Sequence, residues 1–393
     1  MEKETKRVHT YLGKEDSFGG LNMPIYHSAA FGFPSAKAMA DAFVGRSNAP
    51  TYSRVANPTV TFFEERVKQL SGAKNVFAFN SGMAAISNTL IALTASGKNI
   101  VTSAHLFGNT VSLLKNTLGR FGVETRFVDL LDTEAVAAAI DENTSFVFLE
   151  IITNPQMEVA DLRSLSAITH EKKIPLIADT TIIPFTQFSA SELGVDIEVL
   201  SSTKYISGSA SSLGGLVIDY GHFPQLYGSL KFELLYNLGS YMTPQVAFMQ
   251  TLGLETVDLR YQMQASNALE LAKRLKNVPE IKDVNYVGLE DNPFHELAKA
   301  QFGGTYGAML TIDLEDKQKC YDFIDNLQLI SRATNLFDSK SLAIHPASTI
   351  FGSFAGSQRR AMNVRDNTIR LSVGMESVND LFEDIIQALR TER

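Results

Sequence analysis

The chain has 393 residues, 45% of them apolar and 20% charged, with a formal net charge of −8. Single hydrophobic cores seldom grow beyond roughly 250 to 300 residues, so this length predicts a globular protein of two domains. The acidic balance, with no dense block of Lys and Arg, excludes a nucleic-acid surface and leaves a small molecule as the expected ligand.

The N-terminus, Met-Glu-Lys-Glu-Thr-Lys-Arg, is charged and no apolar stretch follows it. Neither a signal peptide nor a membrane anchor is expected, and a cytoplasmic location is the default. Residues 1–50 mix turn signals with short apolar runs, as an extended N-terminal arm would. From Asn57 the pattern is regular: Asn57 can cap a helix, Pro58 suits its first position, Val60, Phe63, Val67 and Leu70 mark one face, and Gly72 stops it. Short strands and helices then alternate. Strands are predicted at Val76–Phe79, Ile100–Val101, Thr125–Val128, Phe146–Leu149, Leu176–Ala178, Glu198–Leu200 and Leu216–Ile218, with helices at Met83–Leu93 and Val111–Phe121. This is the α/β pattern of a mainly parallel sheet covered on both faces. Beyond about residue 245, longer helical stretches such as Ala265–Leu275 and Tyr321–Leu327 surround a few strands, including Ala308–Ile312 and Ile369–Val373. The expected division is an arm (1–50), a large domain (51–245) and a smaller C-terminal α/β domain (246–393). The one cysteine, Cys320, cannot form an internal disulfide or a cysteine metal cluster, and its neighbours predict buried packing.

Ligands of open α/β sheets bind outside the carboxyl ends of the strands, so the polar residues just after each strand are the candidates. After the first strand, Asn80-Ser81-Gly82-Met83 leads into a helix whose N–H groups can hold a phosphate, or simply be capped by Ser81. After the second, Phe107 can stack on a flat ring or join the core, and His105 reads as a hydrogen-bonded loop histidine. Asn154, in Glu150-Ile151-Ile152-Thr153-Asn154-Pro155, can bond a ring substituent or form a turn. Asp179, followed by Thr180-Thr181, can pair with a protonated pyridine nitrogen or cap the next turn. Lys204 closes Ser201-Ser202-Thr203-Lys204, where an apolar strand ends in hydroxyls and a lysine. Burial lowers a lysine's proton affinity and makes it a nucleophile, and neighbouring hydroxyls can hold an anionic group of the same ligand. Phosphate cradle, stacking ring, pyridine partner and Schiff-base lysine, in chain order on successive strand ends, point to pyridoxal phosphate. No metal site is expected.

With these residues the sequence resembles the Cys/Met-metabolism family of pyridoxal-phosphate enzymes, a branch of the aspartate-aminotransferase-like fold that includes cystathionine synthases and lyases, methionine γ-lyases and homoserine-ester sulfhydrylases. The resemblance runs from Pro24-Ile25-Tyr26 to Arg370-Leu371-Ser372-Val373-Gly374-Met375-Glu376. It implies a seven-stranded, mainly parallel sheet in the large domain. It also implies that Lys204 bears the cofactor, that Asp179 pairs with the pyridine nitrogen with Thr181 beside it, and that Ser81, Gly82, Met83, Ser201 and Thr203 surround the phosphate. Thr51-Tyr52-Ser53-Arg54 matches a segment that reaches into a neighbouring subunit, where Tyr52 and Arg54 complete the phosphate site. A dimer is then the minimum, and a tetramer of two dimers the implied assembly. Arg370 matches the arginine that binds the substrate α-carboxylate, with Asn335 and Asn154 as further substrate-binding candidates.

Two departures concern the reaction. The ring-stacking position, commonly Tyr, is Phe107, so proton transfers assigned to a phenol fall to Lys204, Tyr52 or a leaving group that needs no acid. The stretch Thr334-Asn335-Leu336-Phe337-Asp338-Ser339-Lys340-Ser341-Leu342 resembles the sulfhydrylase pattern, with Phe337 where a glycine is usual. The expected activity is replacement of the ester of O-acetyl- or O-succinylhomoserine by sulfide or a thiol, giving homocysteine. A methionine or cystathionine γ-lyase, a cystathionine γ-synthase, or a non-catalytic binding protein on the same fold are the alternatives.

Overall fold

The computed structural model describes residues 2–9 and 19–391. Seven strands form the larger sheet: β1 (Asn75–Phe79), β2 (Asn99–Thr102), β3 (Glu124–Phe127), β4 (Thr144–Glu150), β5 (Leu176–Asp179), β6 (Ile197–Leu200) and β7 (Gly215–Asp219), in the order β1-β7-β6-β5-β4-β2-β3. β2 pairs in parallel with β3 and β4, and β5 in parallel with β4 and β6. Only β7 runs the other way, antiparallel to both β1 and β6. The carboxyl ends of β1, β2, β4, β5 and β6 therefore share one edge of the sheet, as the α/β reading requires.

Burial on both faces explains why these strands read as apolar runs. Along β1, Val76 and Ala78 pack with Phe63, Val67 and Leu70 of the helix Pro58–Ser71. Phe77 and Phe79 face the other way, onto Ala85, Ile86 and Leu90 of the helix Gly82–Leu93. The helix Pro58–Ser71 begins and ends as its sequence predicts: the Asn57 side chain accepts the Thr59 N–H, and Gly72 closes the helix at φ +70°.

Five further strands, β8 (Asp283–Asn285), β9 (Met309–Asp313), β10 (Ser331–Arg332), β11 (Leu342–Ile344) and β12 (Thr368–Ser372), make a second sheet in the order β10-β11-β12-β9-β8. β12, which carries Arg370, lies between antiparallel β9 and β11. We propose the division of the chain into an arm, a large domain to 245 and a small domain from 246. Its second boundary falls inside the helix Pro244–Glu255, which still packs against Pro58–Ser71. Cys320 is buried in the helix Lys317–Asn326, a free thiol that burial pushes up to about 12. Among the described residues no helix is long and apolar enough to cross a membrane.

Two local expectations are corrected. The arm is not extended throughout: Lys3–Val8 is helical and lies against Pro58–Ser71, with Arg7 paired to Asp258, and Ala36–Phe43 is a helix capped by Ser35. Ala36–Phe43 places Ala36, Met39, Ala40 and Phe43 on one face yet buries none of its residues in this chain, and only eight residues long its period was too short to stand out. The helix predicted over Val111–Phe121 is divided into Gly108–Ser112, a π turn at Leu113–Thr117 and a 3-10 turn at Leu118–Phe121. Val111, Leu114 and Leu118 all still reach the core.

Phe63 has no exposed surface at the centre of its helix. Phe63→Ala is expected to cost about 3 to 5 kcal/mol, read as a lower urea midpoint at unchanged slope.

Candidate active site

Lys204 follows β6 in a tight turn in which its N–H donates to the Ser201 carbonyl at 3.2 Å and its own carbonyl accepts from Gly208 at 2.8 Å. Its Nζ donates to Asn335 Oδ1 at 2.8 Å. Burial, and then the nearby Arg370 guanidinium, pull its pKa down to about 8, against the pull of Asp179. A neutral amine is thus within reach near neutral pH.

Asp179 ends β5. Its Oδ1 accepts the Thr181 N–H at 3.0 Å, and burial raises its pKa to about 6 against those Thr181 bonds and Lys204. The Thr181 hydroxyl accepts the Ser201 N–H at 2.9 Å and so ties the end of β5 to the end of β6. Directly across from Asp179 in register stands Glu150, the last residue of β4. It is buried, accepts the Phe107 N–H at 2.6 Å, and is held well above the usual carboxylate range by burial and then by Asp179. Sequence reasoning passed over Glu150, although an acid ending an apolar strand is the same signal that selected Asp179. Phe107 itself is half-buried at the start of Gly108–Ser112.

Arg370 is 2% exposed. Its Nη1 donates to Asn154 Oδ1 at 3.2 Å, and its Nη2 to the carbonyls of Thr334 at 3.2 Å and Asn335 at 3.4 Å. No described carboxylate pairs with it, its Nε has no partner, and burial pulls its pKa down to about 9. A ligand carboxylate would supply the missing charge and acceptor. Lys204, Asn335, Arg370 and Asn154 therefore form one connected group drawn from both sheets.

Ser81 caps Gly82–Leu93 by accepting the Ala84 N–H at 3.1 Å, leaving the first-turn N–H groups of Gly82 and Met83 without an intrahelical partner. A Cβ on Gly82 would lie 2.7 Å from the Ser201 Cβ, so this cradle tolerates only glycine. The Thr203 hydroxyl turns elsewhere, donating to the Gly214 carbonyl at 3.2 Å and accepting its N–H at 3.0 Å. Tyr52 and Arg54 line a separate pocket of about 270 Å³ with His27, Tyr241 and Pro244. The Arg54 guanidinium lies 5.5 Å from the Tyr52 ring centroid and bonds the Tyr236 carbonyl. Among the described residues no contact joins either of them to Lys204. His105 is hydrogen-bonded in its loop, with Nδ1 2.6 Å from Glu158. Phe337 is fully buried at φ +55°, its ring stacked 4.2 Å from that of Tyr205.

The residues fit pyridoxal phosphate on the structure's own terms: an anion cradle that a Cβ would fill, a buried carboxylate for a cationic ring nitrogen, and a buried lysine of lowered pKa. Amine acylation of Lys204 in the cofactor-free protein is expected to rise through pH 8, because the neutral amine accumulates as pH passes its pKa of about 8. Arg370→Met should move that midpoint upward; a midpoint that stays put, or one near the ordinary ~10.4, contradicts this electrostatic account.

Residues 4–390 match the Cys/Met metabolism PLP-dependent enzyme family. The O-acetyl-L-homoserine sulfhydrylase of Corynebacterium glutamicum is 34% identical over 97% of this chain and 95% of that protein. An L-methionine gamma-lyase of Fusobacterium nucleatum is 35% identical over 95% of this chain and 94% of its own length. A Campylobacter jejuni crystal structure described as an O-acetylhomoserine (thiol)-lyase, with a pyridoxyl-lysine phosphate at its position 205, superposes with a TM-score of 0.95 at 32% identity over the whole of both chains. With its seven-stranded sheet and its match along nearly the entire length, the chain belongs to the Cys/Met-metabolism family of pyridoxal-phosphate-dependent enzymes.

Proposed function

We propose that this enzyme carries out γ-replacement on an O-acyl-homoserine, acetyl or succinyl, exchanging the ester for sulfide or a thiol and yielding homocysteine in the sulfide case. The observation that carries the reading is Phe107: it can cover a cofactor ring but has no hydroxyl to protonate a leaving group. An ester departs as a stable carboxylate and needs little acid, whereas thiolate loss from methionine needs more. The similarity to sulfhydrylases supports the same choice, and the similarity to methionine γ-lyases keeps elimination as the second reading.

Arg370 would grip the substrate α-carboxylate through its unpartnered Nε and an Nη, with Asn154 setting the plane of the guanidinium. Gly82, Met83 and Ser201 would hold the phosphate, and Tyr52 and Arg54 of a second copy would complete that site. When bound, the cofactor supplies an electron sink that stabilises negative charge at the substrate α-carbon. Asp179 would pair with the ring nitrogen and favour its protonated form. Lys204, aimed by Asn335, removes the α-proton and then carries protons between neighbouring carbons. The Cγ–O bond breaks, with its electron pair leaving on acetate or succinate, and sulfide forms the new Cγ–S bond.

Given O-acetylhomoserine, the cofactor-loaded enzyme is expected to yield homocysteine as the dominant product only when sulfide is present. Equal release of 2-oxobutanoate with and without sulfide, and no homocysteine, would establish elimination instead. Lys204→Ala should abolish turnover and the cofactor's covalent attachment together. Phe107→Tyr should leave ester replacement within a few-fold while raising methionine elimination roughly a hundredfold, the usual contribution of a positioned acid; unchanged elimination would remove Phe107 as the determinant.

A further inference from the structure

The helix Val257–Leu275 carries Arg260, Gln264 and Asn267 at i, i+4 and i+7, the spacing of one helix face. All three donate to backbone carbonyls of other segments. Arg260 Nη1 reaches the Tyr205 carbonyl at 2.6 Å, and its Nη2 reaches the carbonyls of Ile206 at 3.4 Å and Gly253 at 2.5 Å, while its Nε bonds the Thr256 hydroxyl at 3.1 Å. Gln264 bonds the Asp338 carbonyl, and Asn267 those of Gly374 at 3.1 Å and Glu376 at 2.8 Å. The gripped carbonyls belong to the turn that follows Lys204, the loop that carries Asn335, and the segment just after Arg370.

Arg260 holds the first of these. In the turn around Lys204 the carbonyls of Tyr205 and Ile206 receive the Arg260 guanidinium, which satisfies them as a donor to exposed turn carbonyls. Two glycines admit it. A Cβ on Gly208, which sits at φ +72°, would lie 2.1 Å from Arg260 Nη1, and one on Gly253 would lie 2.1 Å from the Ile206 carbonyl oxygen. No described carboxylate pairs with Arg260, and burial pulls its pKa down to about 10. A half-buried cation without a carboxylate partner is costly, and both of its terminal nitrogens donate to carbonyls of the lysine's turn, with Gly253 and Thr256 of its own side holding the rest of the head. The turn is tied in addition to the Asn335 loop, where the Ser339 N–H donates to the Gly208 carbonyl at 3.0 Å.

We propose that Arg260 is a positioning residue for Lys204, fixing the direction of its amine through the Tyr205 and Ile206 carbonyls, and that Gln264 and Asn267 hold the Asn335 and Arg370 segments in register with it. This rests on Lys204 being the cofactor lysine and not on the choice of substrate. The test uses the cofactor-loaded enzyme and two variants, Arg260→Met and Arg260→Lys. The pH midpoint of the cofactor's visible absorption is read in each, together with the rate of cofactor loss to a trapping agent. Arg260→Met is expected to move the midpoint upward by about half a unit or more, as the lysine nitrogen regains water, and to speed cofactor loss roughly tenfold. Arg260→Lys, with one donor head in place of a fork, should fall between it and the wild type in both. A folded variant of either kind with the wild-type midpoint and loss rate would reduce the clamp to a fold staple and overturn the proposal. If Arg260→Met does not fold, Arg260→Lys decides alone. A visible band that survives Lys204→Ala would overturn the lysine assignment and this inference together, whatever the Arg260 variants show.

Discussion

Two cations, Lys204 and Arg370, share a poorly solvated space at the meeting of the two sheets, and much of the site is arranged around that difficulty. Like charges in a medium of low effective dielectric repel strongly, so the weaker base gives up its proton more readily. Burial first, and then this repulsion, leaves Lys204 with a lowered pKa. Asp179 opposes the effect only in part. Glu150, pushed above the usual carboxylate range by burial and then by Asp179, supplies an acceptor for the Phe107 N–H. In the proposed reading, positive charge is thereby reserved for ligand groups that are themselves anionic, a carboxylate at Arg370 and a phosphate at the helix end.

The parts of this arrangement that depend on chain order were legible in the sequence. A parallel sheet places successive strand ends side by side, so Ser81, Phe107, Asp179 and Lys204 could be gathered from the strand pattern alone, and Asn57, Pro58 and Gly72 bounded their helix by local chemistry. What depends on register or on side-chain direction was not legible. Glu150 matters because β4 pairs with β5 so that it faces Asp179. The Thr203 hydroxyl goes to Gly214 because the turn after β6 brings the start of β7 beside it. The polar face of Val257–Leu275 gave no signal, since the carbonyls that Arg260, Gln264 and Asn267 grip belong to loops distant in the chain.

Phe337 shows how a departure from a family pattern can be absorbed. Its φ of +55° is the left-handed conformation in which glycine is free and a bulky side chain is strained by roughly 1 to 2 kcal/mol. The stacked contact with Tyr205, worth roughly 0.5 to 1.5 kcal/mol beyond its buried area, offsets that strain. The exchange joins the residue beside Lys204 to the loop that carries Asn335, a link that glycine would not provide.

Cys320 has a bearing on the sulfur chemistry proposed for this chain. A protein bathed in sulfide and thiols is exposed to polysulfides and disulfides whenever oxidant is present, and a protein thiolate that can reach them attacks their sulfur and becomes modified. Here the one cysteine is buried in the helix Lys317–Asn326, with its thiol held far from ionisation at physiological pH by that burial. Burial and a suppressed thiolate both work against persulfide formation and mixed-disulfide exchange at this position, so oxidation would fall on the substrates before the protein.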